Sequence, residues 1–139
     1  VQAVEDVQAA TRGSDIISCA TFSADPIVFG DWLQEGAHLD LVGGYRPEVR
    51  ETDDTSIRRA TVFCDTLGGA PKAAGDLTQP IASGVLKFKE MHDLFALFGG
   101  SHPGRTSDDE ITMFKSVGAS LEDFAATVLI YEQVAKEKC

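Results

Sequence analysis

The sequence predicts an α/β fold, and three observations predict it. Short apolar runs at residues 15–20, 37–42 and 61–65 alternate with helical or irregular stretches, the pattern of parallel strands joined by crossovers. The second run stops dead at Gly43-Gly44, a turn signal at a strand end. From Val117 onward, Leu121, Phe124, Ala125, Val128, Tyr131, Val134 and Ala135 recur at three- and four-residue spacing, one apolar stripe on a long helix.

Each element has a local reason. Val4, Val7 and Ala10 suit a short helix to Arg12, closed by Gly13. Asp15 to Ala20 is the first strand, with Thr21-Phe22-Ser23 as its exit loop. Asp25 to Gly36 contains Pro26 and Trp32 and reads as irregular, with a helical turn. Ala37 to Val42 is the second strand, and Asp53 can cap a helix running to Ala60. Thr61 to Asp65 is the third strand. Leu67 to Phe98 is mostly helical in pattern, broken at Gly75, Pro80 and Gly84. Gly99 to Gly104 is turn-rich and forms the expected domain boundary, after which Ile111 to Lys115 alternates well enough for a short strand. In a parallel sheet the exits at Thr21, Gly43 and Thr66 lie along one edge, where a shared ligand cleft can run.

Composition narrows the function. The chain has 139 residues, enough for one domain with a core, with 43% hydrophobic and 24% charged residues. A net charge of −10 argues against nucleic acid or an anionic membrane as partner. Cys19, Cys64 and Cys139 are odd in number and far apart; the first two sit in apolar runs and read as buried free thiols, which fits a reducing, cytoplasmic setting. No apolar stretch reaches membrane-span length. The chain begins at Val1 and opens directly in an amphipathic helix, which reads as the interior of a longer protein.

The residues that could carry chemistry each have a plainer reading beside the functional one. Gly43 and Gly44 let backbone approach a ligand, or simply make a tight turn. Arg46 is a planar charge for a ligand, or a surface arginine. Ser116 stands where strand becomes helix, as a cap or as an anion-facing group. Ser107 to Glu110 matches a capping box, and Asp53-Asp54 reads as a helix start rather than a metal site. His38, His92 and His102 lack metal-ligand spacing; His38 reads as a satisfied strand residue and His102 as a loop histidine open to ligand contact. Lys72 and Asp76, in PKAAGD, read as a solvated helix end. No P-loop, nucleophile elbow or G-x-G-x-x-G is present.

Taken together, VGGYRPEVRETDD (42–54), GAPKAAGDLTQP (69–80) and GRTSDDEITMFKSVGASLEDFAA (104–126), with the opening GSDIISCATFS, resemble the ornithine cyclodeaminase/mu-crystallin family of NAD(P)-dependent proteins. The match runs in order over nearly the whole chain. The resemblance implies the C-terminal half of a Rossmann-type dinucleotide-binding domain over residues 1–100. Residues 101–139 would then be the C-terminal strand and long helix of a dimerisation and substrate domain. It implies NAD or NADP as cofactor, an amino or imino acid as ligand, and a homodimer at full length. The fingerprint glycines would lie upstream of Val1, as would the family's substrate-binding Lys and Arg.

Position by position, the resemblance makes Thr21 a border of the cofactor, Val42, Gly43 and Gly44 the loop passing the nicotinamide, and Ser116 a group near nicotinamide and substrate. Ornithine cyclodeaminases carry a catalytic aspartate directly after the Val-Gly-Gly; Tyr45 holds that place here and would line the substrate pocket. The YRPEVRE form with SHPGRTSDDE looks more like the family's reductases of cyclic imino acids such as Δ1-pyrroline-2-carboxylate. Ornithine deamination and cis-3-hydroxyproline dehydration remain the alternative activities. A non-catalytic ligand-binding protein of the mu-crystallin kind, or an inert fragment, is the alternative class.

Overall fold

The computed structural model describes residues 2–137, and its frame is a five-stranded parallel sheet. The strands are β1 (Ile16–Cys19), β2 (His38–Leu41), β3 (Ala60–Cys64), β4 (Met91–Asp93) and β5 (Ile111–Lys115), in the order β1-β2-β5-β3-β4. β1, β2 and β3 fall where the apolar runs lie. The chain leaves one strand's width between β2 and β3 and returns at the end to fill it. The strand expected at 111–115 is therefore present, and it lies within the sheet. It pairs with β2 through His38↔Thr112 and with β3 through Val62↔Met113, at the centre of the sheet.

The helices follow local signals. Asp6 accepts a hydrogen bond from Ala9 N at 3.0 Å and starts α1 (Val7–Arg12), which Gly13 closes. Asp53 caps α2 (Asp54–Arg59), taking the amide of Ser56 at 3.0 Å and that of Gly30 at 2.8 Å. Burial raises the Asp53 carboxyl, but these hydrogen bonds outweigh it and hold the group below its usual range. α3 (Ala70–Ala73) and α4 (Gly75–Ala82) meet at Ala74, and a Cβ on Gly75 would overlap the Val49 carbonyl, so α4 begins flush against residues 46–49.

The stretch 67–98 is less helical than expected. β4 interrupts it before α5 (Leu94–Phe98). Three residues are too few to show alternation, and β4 exists through its pairing with β3, Val62↔Met91. Ser107 to Glu110 starts no helix either. Glu110 instead accepts from the Thr106 hydroxyl at 2.7 Å and from Thr61 Oγ1 at 2.5 Å, closing the loop onto β3. The last element, α6 (Ser120–Glu137), leaves the sheet with its side chains exposed through Lys136.

The two faces of the sheet differ. One carries Cys19, Leu39, Leu41, Met113, Val62 and Cys64, packed under Val28, Leu33, Ile57, Ala70, Leu77 and Leu86. Burial pushes the Cys19 and Cys64 thiols up to about 12, as inert core groups. The other face carries Ser18, His38, Asp40, Thr112, Phe114, Thr61 and Phe63, as strand alternation requires. Leu94, Leu97, Gly104 and Arg105 cover it in part, leaving a cavity of about 300 Å³ lined by His38, Phe63, Thr112 and Phe114. His38 is bonded to Thr112 Oγ1 at 2.8 Å, and His92 and His102 stack at 4.0 Å beside Phe63.

Candidate functional site

Because the strands are parallel, their C-terminal ends share one edge of the sheet. The exits of β1, β2, β5 and β3 stand there in spatial order: Thr21, then Val42 to Gly44, then Ser116, then Asp65 and Thr66. The residues singled out in the sequence are thus neighbours. Val42 N donates to Cys19 O at 2.8 Å, and Ser116 N donates to Leu41 O at 3.0 Å.

The glycines also meet a demand from the packing around them. A Cβ on Gly43 would overlap the backbone of Thr21, so the residue is small to let the β1 and β2 exits touch. A Cβ on Gly44 would sit 3.0 Å from Asp76 Oδ2.

What lies inside is a buried polar network that inspection of motifs missed. Glu51 is fully buried. Its Oε1 accepts from Thr21 N at 2.6 Å and Thr21 Oγ1 at 2.8 Å; its Oε2 accepts from Gly43 N at 2.9 Å and Gly44 N at 3.4 Å. Asp76, read as solvated, is fully buried as well, because α4 starts against the 46–49 loop. Its Oδ1 accepts from Glu51 N at 2.7 Å and Thr52 N at 3.1 Å. Its Oδ2 has no hydrogen-bond partner among the described residues and faces Lys115 Nζ at 3.9 Å. Lys115, at the end of the central strand, donates to Leu41 O at 3.0 Å. Burial pushes the Asp76 carboxyl up and the Lys115 ammonium down, against the attraction between them. Asp65 ties the far side, accepting Thr66 N through Oδ1 and Val117 N through Oδ2, both at 2.8 Å.

Ser116 is not a helix cap. α6 begins at Ser120, and Gly118, at φ +81°, turns the chain between strand and helix. Among the described residues, Ser116 Oγ accepts only the local Gly118 N, at 3.2 Å. Tyr45 is 54% exposed at the mouth of the edge, its ring 5.5 Å from that of Phe22, with the Arg46 guanidinium 5.3 Å from the Phe22 ring.

This accounting decides what the edge can hold. The amides of Thr21, Val42, Gly43, Gly44, Thr66, Ser116 and Val117 all donate within the protein. None of them is free to cradle a phosphate. Turned outward are the Val42 side chain, 47% exposed, and half-buried Ser116. An apolar side chain with a hydroxyl beside it suits the flat ring of a dinucleotide.

The family model for the ornithine cyclodeaminase/mu-crystallin family matches residues 1–138. The chain belongs to that family. Among family relatives, it is 35% identical to the ketimine reductase mu-crystallin of Mus musculus over 99% of this chain and 42% of that protein. It is 38% identical to the Δ1-pyrroline-2-carboxylate reductase of Paracoccus denitrificans over 85% of this chain and 38% of that protein. The solved Δ1-pyrroline-2-carboxylate reductase of Thermococcus litoralis, in complex with NADH and L-proline, superposes with a TM-score of 0.91 at 34% identity. That likeness covers 97% of this chain and 42% of that one. The chain therefore spans between 38% and 42% of the length of these family members.

Proposed function

We propose that the protein to which this chain contributes reduces a cyclic imino acid of the Δ1-pyrroline-2-carboxylate type, with NADH or NADPH. The observation that carries this reading is the strand edge with its amides turned inward and Val42 and Ser116 turned outward. The nicotinamide, when bound, supplies the hydride for the imine carbon. Val42, exposed at this edge, would border the ring, with Thr21 and Ser116 on the neighbouring strand exits. Their part is to hold ring and imine in attack geometry.

Tyr45 separates reduction from deamination. Deamination and cyclisation of ornithine need strong general-base help, and a phenol is a poor substitute for a carboxylate near neutral pH. Imine reduction needs a single proton on nitrogen, which an iminium substrate brings with it. Tyr45 can wall the substrate end with its ring, supported by Phe22. The exposed apolar residues of α6, among them Leu121, Phe124, Ile130 and Tyr131, support assigning this helix to a dimerisation part of the full-length protein.

The test is a three-substrate assay of the full-length protein. Oxidation of NADH or NADPH with Δ1-pyrroline-2-carboxylate is expected to dominate. Tyr45→Phe is expected to keep most of that activity. Ammonia release from ornithine, or water elimination from cis-3-hydroxyproline, at a rate comparable with imine reduction would overturn the reading.

A further inference from the structure

We propose that Glu51 is the positioning residue of the cofactor edge: one buried carboxylate clamps the exits of two neighbouring strands and so sets where the nicotinamide can lie. The inference rests on the dinucleotide reading above and goes beyond it to the residue that determines the geometry. Glu51 touches no outward surface. It acts through Thr21 and Gly43-Gly44, which lie on different strand exits and, among the described residues, share no other side-chain anchor. Each carboxylate oxygen serves one exit, Oε1 the β1 exit and Oε2 the β2 exit.

The clamp is itself held from below. Asp76 fixes the backbone on which Glu51 stands, through the amides of Glu51 and Thr52. Lys115 fixes the last carbonyl of β2 and neighbours Asp76. Two acids and one base in the interior are an expensive way to build a turn, since each ion must be taken out of water. The arrangement is intelligible as a device for a fixed position: charge-assisted hydrogen bonds are short and directional where apolar packing is not. It also spends the amides that would otherwise attract an anion to this edge.

The substitution Glu51→Gln tests this. Its amide has one accepting oxygen and one NH₂ group, so it can serve one exit and must oppose the N–H groups of the other. In the full-length protein, dissociation constants are measured for NADH and for ADP-ribose, which lacks the nicotinamide. The expected result is a rise of roughly tenfold for NADH, about 1.4 kcal/mol, with ADP-ribose changed less than about twofold. Equal weakening of both ligands would make Glu51 merely structural, and no change in either would remove it from the site; both overturn the proposal. If Glu51→Gln does not fold, Glu51→Asp, which keeps the charge but draws the carboxylate back by one methylene from both exits, decides in its place. A selective loss of NADH affinity supports the clamp, and unchanged affinity overturns it. Unmodified protein that binds no NADH would instead refute the dinucleotide reading itself.

Discussion

The two faces of the sheet obey the same alternation and reach opposite ends. Leu39 and Met113, on the closed face, are fully buried under α2 and α4 and their neighbours. Phe114, one residue from Met113, is only half-buried, and Ile16 on the same side is 69% exposed. Parallel sheets occur almost only with both faces covered. The difference teaches that the described residues complete one core and leave the other face partly open. α6, exposed through Lys136, is a second uncovered surface.

The largest effects belong to the closed face. Leu39→Ala in the full-length protein is expected to cost about 2–5 kcal/mol in chemical denaturation. If the second face is covered there, Phe114→Ala costs about 3–5 kcal/mol, as a buried phenylalanine does. A cost below about 1 kcal/mol would mean that the face stays open and that the contrast is permanent. Lys115→Met sharpens the same point from the charged end of the closed face. It leaves Asp76 buried without its cation and is expected to cost about 3–5 kcal/mol, with part recovered when Asp76→Asn is added. A single variant as stable as the parent would remove the pair from the account.

At the edge between the faces, Ser116→Ala is expected to lower turnover more than about tenfold while the melting temperature hardly moves. Its hydroxyl accepts one local bond and caps no helix, so a fall in melting temperature alone would return it to a structural role.

The smallest effect lies beside the open face, at Glu110. Hydrogen bonds from the Thr61 side chain, and then from Thr106, hold its carboxyl at about 2, against an ordinary 4.5. A depressed folded value means that its stabilisation is complete above pH ~4.5 and is lost as the pH falls toward ~2. Glu110→Gln should flatten the acid limb of the stability curve over that interval. An unchanged limb would show that these bonds contribute nothing in solution.

Much of this was legible in the sequence, for a physical reason. β1, β2 and β3 are apolar runs ending at turn residues, and parallel pairing brings Thr21, Gly43 and Ser116 to one edge once the strands are placed. β4 was not legible, because three residues between Glu90 and Leu94 carry no period. Glu51, Asp76 and Asp65 were not legible either: each reaches a partner far along the chain, Glu51 to Thr21 across 30 residues, Asp76 to Glu51 N across 25 and Asp65 to Val117 N across 52. One local signal was available. Ile111, Met113 and Lys115 share a strand face, so a lysine stands where the core pattern asks for an apolar residue.

The contrast between the faces is tested most directly by sedimentation of the 139-residue chain alone, in the presence of increasing NADPH. With one face and the long helix uncovered, the chain is expected to self-associate and to show no saturable cofactor binding. A monodisperse monomer that binds NADPH with micromolar affinity would contradict the account.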